Sequence, residues 1–177
     1  MESMADLDGA TIRAAREGEP AGLARLFDAT WASAWRLAYG ICRDRTLAED
    51  AAQEGLIRAI RSLDQFDERR GPFSPWLHTI IVRATLDLLR RERKATRGTA
   101  SAPSPAEDLA GFDDIRDWLD ALTPERRLLI VLRFWFDYKP TEIAAILDLP
   151  AGTVHSRLHR ALSDLLPAAE VKYGKRN

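Results

Sequence analysis

The chain of 177 residues carries 26 Lys and Arg against 27 Asp and Glu, and its 46% hydrophobic content is enough for one ordinary core or two small ones. That balance excludes a uniformly basic nucleic-acid binder, and a single cysteine, Cys42, excludes an internal disulfide or a cysteine-pair zinc site. Cys42 reads as a reduced, partly buried apolar residue. Charge is instead segregated. Arg83, Arg90, Arg91, Arg93, Lys94 and Arg97 form one basic stretch, and His155, Arg157, His159, Arg160, Lys172, Lys175 and Arg176 form another. Acids gather at Glu49, Asp50 and Glu54 and from Glu107 to Asp120. The pattern suggests two basic surfaces for DNA and separate acidic surfaces for protein partners.

The acidic start, Met1 to Arg13, does not read as a secretory signal. Beyond it the chain has helical periodicity almost throughout, so an all-α fold is expected. Leu23, Leu26, Phe27, Trp31, Trp35 and Ala38 mark one face of a helix from about Pro20 to Ile41. A second helix starts near Ala48 and should carry Leu56, Ile57 and Ile60 inward. Gln65 to Pro75 is punctuated like a loop by Gly71, Pro72 and Pro75. Phe73, Trp76, Leu77, Ile80, Ile81, Ala84 and Leu88 then form the buried stripe of a third helix.

From Ala95 to Gly111 small and breaker residues replace the apolar ones, as in a flexible linker with a reach of roughly 55 Å. Ile115, Trp118, Leu119 and Leu122 mark a short helix, so a second small helical domain begins by about Phe112. Thr123-Pro124-Glu125 has the N-cap, N1 proline and early acid of another helix. The most apolar run, Leu128 to Phe136, is interrupted by Arg133 and too short to cross a bilayer, so it should be a buried helix. No membrane insertion and a cytoplasmic location are expected.

Helix Pro140 to Leu147, with Ile143, Ala144 and Leu147 on one face, is succeeded by the tight turn Asp148-Leu149-Pro150. A further helix from Ala151 buries Val154, Leu158, Ala161 and Leu165, which makes the pair a helix-turn-helix. Asp148 stands where such turns often need a positive φ, which Asp tolerates better than most residues. A rotation of about 100° per residue puts Gly152, Ser156, His159, Arg160 and Ser163 opposite the buried stripe, with His155 and Arg157 on its flanks. This polar, donor-rich face suits base edges and phosphates in a major groove.

The segment Leu122 to Leu165, containing TPERRLLIVLRFWFDYKPTEIAAILDLPAGTVHSRLHRALSDL, resembles the promoter-binding domain of extracytoplasmic-function (ECF) sigma factors of the sigma-70 family. Independently, TLAEDAAQEGLIRAI resembles the family's polymerase-binding helix, and LDQFDERRGPFSPWLHTIIVRATLDLLRRERK resembles its loop and helix that open and read the minus-10 element. The resemblance implies sigma region 2 over residues 10–94, a linker over 95–111 and sigma region 4 over 112–170.

It further implies a factor that binds core RNA polymerase, through the β′ clamp helices and β flap, and directs promoter-specific initiation, with no catalysis and no cofactor. Minus-35 recognition would fall to His155, Ser156, Arg157, His159 and Arg160, with Arg160 suited to guanine. For the minus-10 element the matching residues are Phe66, Asp67, Arg70, Phe73, Trp76, Arg83, Arg90 and Arg91. For Phe73 and for Trp76, which is in register with Ile80 and Ala84, a core role and a base-facing role both stand open. Arg83 replaces an Asn common in the family and cannot offer its paired donor and acceptor, which points to a different minus-10 preference. Glu49, Asp50, Gln53 and Glu54 match the surface for the clamp helices. The resemblance also implies an anti-sigma partner. Two other readings stand beside it: a dimeric helix-turn-helix regulator that acts without polymerase, and a sigma mimic that titrates an anti-sigma factor. The first does not explain two sigma-like halves joined by a linker, and the second does not need the basic, acid-free recognition helix that this chain keeps. Glu49, Asp50 and Glu54 lack a nearby histidine or a converging segment, so no metal site is expected.

Overall fold

The computed structural model describes residues 7–95, 119–120 and 122–173, with side chains as far as residue 164. Of the expected linker from 95 to 111, Ala95 is the last residue of a helix and the rest lies outside the described residues, as do Ile115 and Trp118 of the expected short helix and the buried role of Leu165. The chain divides into two compact units, Met1–Pro103 and Ser104–Asn177. The described residues are helical with no strand, as the all-α expectation requires.

The first unit contains α1 (Gly9–Arg16), α2 (Pro20–Cys42), α3 (Arg45–Arg61), two 3-10 turns (Leu63–Gln65 and Glu68–Arg70) and α4 (Phe73–Ala95). Helix α1 is not anticipated by the sequence pattern. Asp8 caps it by accepting from the Thr11 amide at 2.7 Å, and the Thr11 side chain together with this amide keeps the Asp8 carboxyl below its ordinary value. Ile12 and Ala15 face inward. At Gly22 of α2 a Cβ would lie 2.6 Å from the Ala15 amide nitrogen, so only glycine lets α1 and α2 approach this closely.

Helix α2 buries Leu26, Ala34, Leu37, Ala38 and Ile41. Its aromatic stripe sits at the rim: Phe27 is 41% exposed, and Trp31 and Trp35 are half-buried. The inner face of α3 is Ala48, Ala51, Ala52, Gly55, Leu56 and Ala59, with Gly55 against Ile81 of α4. Ile57, expected inward, is 45% exposed. Both corrections share a cause, because helices that meet through methyl groups and glycine pack closely and leave the larger side chains outside the seam. Helix α4 buries Phe73, Leu77, His78, Ile81, Val82, Ala84 and Thr85, while Trp76, Ile80 and Leu88 are half-buried.

The second unit contains α5 (Pro124–Phe134), α6 (Pro140–Leu147) and α7 (Ala151–Tyr173). Pro124 opens α5 and Thr123 is extended at the N-cap, but the Thr123 side chain makes no capping bond. Leu128 to Leu132 are all buried, but the expected buried run does not extend to Phe136: the helix ends at Phe134, which is exposed, and Trp135 and Phe136 are half-buried. Arg127 is buried beside them and donates through Nε and Nη2 to the Leu122 carbonyl at 3.3 and 2.9 Å. At the start of α6 the Lys139 amide donates to Glu142 at 2.6 Å. The inner residues of α6 are Ile143, Ala144 and Ile146, with Leu147 half-buried. Among the described residues no helix is long and apolar enough to cross a membrane.

Candidate nucleic-acid interface

The turn between α6 and α7 depends on Asp148, which adopts the left-handed conformation at φ 54° and ψ 50°. It lets the Asp148 and Leu149 amides reach back to the carbonyls of Ala145 and Ala144 at 3.4 and 3.0 Å. The Pro150 carbonyl then accepts from Thr153 and Val154 at 2.9 and 3.2 Å, which starts α7 within two residues of the turn. Val154, Leu158 and Ala161 anchor α7 inward. Their period leaves His155, Ser156, Arg157, His159 and Arg160 exposed together. The hydroxyls of Ser156 and Ser163 donate to the carbonyls of Thr153 and His159 at 3.0 and 2.9 Å, so they are partly engaged within the helix. Arg157 and Arg160 also line a shallow groove with Thr123, Glu125, Arg126 and Leu129 at the start of α5. Asp164, the acid at the far end of this face, is paired with Arg126. The arrangement is a stiff helix edge carrying donors, suited to an intact duplex groove.

In the first unit the loop between α3 and α4 is more ordered than its breaker residues suggest. Phe66 and Phe73 are 5% and 9% exposed and meet edge to face at 5.1 Å, with Trp76 at 5.3 Å from each. Phe66 and Phe73 therefore support the loop from beneath rather than forming an open wall; Trp76, half-buried, is the ring of the three with the most accessible surface. Asp67 pairs with the Arg69 guanidinium at 3.1 Å and accepts from its amide at 3.0 Å, contacts that hold the Asp67 carboxyl below its ordinary value. Arg70 is exposed beside them. On α4, spacings of seven put Trp76, Arg83 and Arg90 on one face, and both arginines are exposed, as is Arg91.

Of the four acidic-face residues on α3, Asp50 and Gln53 are exposed and Glu49 and Glu54 half-buried. Glu49 pairs with Arg45 at 3.1 Å and Glu54 with Arg58 at 2.8 Å. Arg58 continues to Asp87 of α4 at 3.2 Å, and Asp87 meets Arg90 at 2.9 Å, so a chain of alternating charges runs from α3 to the basic end of α4. The bond to Glu54, then that to Asp87, raises the Arg58 pKa. Sequence periodicity does not reveal this chain, because its central link joins residues on different helices. Nor does it reveal His78, which is 1% exposed, lies 2.9 Å from the Ser33 hydroxyl and is pushed down to about 4 by burial. Among the described residues no group of three His, Cys, Asp or Glu side chains is placed to hold a metal ion.

Two helical units, one ending in a helix-turn-helix with an exposed donor face, define a DNA-binding protein of modular build. Family models identify the modules: Sigma-70 region 2 matches residues 26–95 and Sigma-70 region 4 matches residues 112–165. The chain is 31% identical to the ECF RNA polymerase sigma factor SigL of Mycobacterium tuberculosis, a match covering 88% of this chain and 93% of that one. SigW of Bacillus subtilis is 29% identical over 84% of this chain and 89% of its own length. SigE of Mycolicibacterium smegmatis is 34% identical over 74% of this chain, a match spanning only 55% of SigE. The chain belongs to the sigma-70 family, in its ECF branch. Its fold is similar to that of the sigma factor RpoE of Bartonella quintana, solved with the anti-sigma factor NepR, with a TM-score of 0.72, 22% identity and coverage of 83% and 96%. CnrH, solved with the cytosolic domain of CnrY, gives a TM-score of 0.67 at 23% identity and coverage of 92% and 96%.

Proposed function

We propose that this chain is a sigma factor that binds core RNA polymerase and directs it to a specific set of promoters, acting by binding rather than catalysis and working in the cytoplasm. In this reading residues 10–94 serve as region 2 and 112–170 as region 4, with 95–111 the tether between them. The observation that carries it is that two family matches fall on two separately packed units, in family order, and the second presents an exposed donor face on its helix-turn-helix.

On α7, Arg160 offers two parallel donors to a guanine edge, Arg157 reaches phosphate, and His155, Ser156 and His159 complete the minus-35 contact. On α4 and its loop, Trp76 is the ring for a base that has left the stack, and Arg70, Arg83, Arg90 and Arg91 track the backbone. Glu49, Asp50, Gln53 and Glu54 meet the polymerase β′ clamp helices, and the second unit meets the β flap. An anti-sigma factor would cover these surfaces; the sigma factor RpoE was solved bound to one.

The test is promoter-specific initiation by purified core polymerase on a genomic-fragment library, with Arg160→Ala as control. Defined start sites that depend on the protein and weaken with the variant support the reading. Duplex binding without polymerase and without transcripts would hand the function to a simple repressor.

A further inference from the structure

Helix α1 is hydrogen-bonded to the loop between α3 and α4 through Arg16. Arg16, in its last turn, donates from Nη2 to the Phe66 carbonyl at 2.8 Å, and its Nε lies 3.9 Å from the Asp64 carboxylate. Phe66 is the junction of the two 3-10 turns and takes up an extended conformation there, at φ −73° and ψ 125°. Its ring is the member of the Phe66, Phe73 and Trp76 cluster that comes first in the chain, and Asp67 to Arg70 come directly after it. The guanidinium therefore fixes the backbone at the point where the loop turns from core to surface. The other end of the strut is equally firm, since Ile12 and Ala15 are buried and Gly22 lets α1 sit tight on α2. Along the same side Leu7, Gly9 and Ile12 face Phe66, Glu68 and Pro72 across an open cleft, so α1 and the loop are neighbours over the length of the helix.

We propose that Arg16 is a positioning residue for promoter opening: by holding the Phe66 carbonyl it keeps the Asp67–Arg70 turn and Trp76 in the conformation that accepts the unpaired minus-10 strand. The inference rests on the reading that this loop meets that strand. A loop that captures a single strand otherwise loses its conformational freedom at the moment of capture, and a strut made during folding removes that cost from the binding step. Arginine suits the task because its planar fork serves a carbonyl and a carboxylate at once, whereas lysine supplies one point charge.

The experiment uses the full chain with core polymerase on a promoter template, reading permanganate reactivity of minus-10 thymines at saturating holoenzyme. Arg16→Ala, Arg16→Lys and Arg70→Ala are compared, with holoenzyme assembly, minus-35 duplex binding and thermal stability measured alongside. Arg16→Ala should lower opening by about tenfold while assembly and minus-35 binding stay within about twofold, and Arg16→Lys should recover part of the loss. Opening that is unchanged in Arg16→Ala but reduced in Arg70→Ala overturns the role of Arg16 and leaves the loop reading intact. A loss that tracks assembly or thermal stability makes Arg16 merely structural. Normal opening by Arg70→Ala removes the loop reading itself, and the inference with it.

Discussion

The two units solve recognition differently. On α7 the candidate contacts project from one stiff helix edge whose serine hydroxyls bond within the helix, and Val154, Leu158 and Ala161 set its orientation. In the first unit the candidate contacts are distributed over a loop and a helix, and their positions depend on long-range pins: Arg16 to Phe66, Arg58 to Asp87, and the three-ring cluster. A duplex groove has a fixed shape, so a prefabricated edge is enough to read it. A strand that must leave its partner has no fixed shape, and the protein has to supply the mould.

The largest difference between the two units is expected at Gly22. A methyl group there collides with the backbone of Ala14 and Ala15, so Gly22→Ala should cost about 3 kcal/mol, at the upper end of overpacking penalties, and loosen α1. At Gly152, on the α7 edge, the same methyl group meets open space, and Gly152→Ala should leave chemical denaturation unchanged or improved. Equal losses for both would contradict the contrast between pinned and prefabricated surfaces.

Next in size is Arg160→Ala, expected to cost about 2 kcal/mol of minus-35 affinity and to relax discrimination at one base position. Titration of duplexes carrying each substitution would show it; a uniform loss across all sequences would instead make Arg160 a phosphate contact.

A comparable effect, confined to the first unit, comes from His78. Its folded value of about 4 lies below the ordinary 6.5, so the folded state stays neutral where the unfolded chain takes up a proton. The contribution of His78 should be full above about pH 6.5 and fall as pH drops toward 4, by about 2 kcal/mol at pH 5. Denaturant midpoints measured through a first-unit tryptophan should shift over this window, and His78→Phe should flatten the shift.

The smallest effect sharpens the second unit. Asp148→Gly relieves a left-handed residue and should stabilise the helix-turn-helix by about 0.5 to 1 kcal/mol in a thermal melt. No gain would mean that the Asp148 side chain repays its own strain.

The helix-turn-helix is legible in the sequence because its determinants are local: the spacing of Val154, Leu158 and Ala161, the prolines, and an Asp able to take positive φ. The face of α2 is less so. Periodicity weights large side chains: Leu26 and Ala38 of the expected stripe lie in the seam, but Phe27, Trp31 and Trp35 draw that stripe away from Ala34 and Leu37, which complete it. Among site residues the exposed arginines of α4 and α7 stand where helical rotation puts them. Phe73 is buried as its place in the helical stripe implies, whereas Phe66 does not offer an open surface because its burial depends on partners in a folded loop. Arg16, Arg58 and His78 act across helices, where spacing along the chain carries no information.

The alanine and glycine lining of α3 has a consequence for engineering. Because the inner face is fixed by close approach and Asp50, Gln53 and Ile57 stand exposed apart from the Arg58–Asp87 pair, these three positions can be rewritten almost as freely as a label. Grafting the outer residues of another family member onto this scaffold should exchange binding preferences while leaving the hidden seam, and hence the fold, untouched.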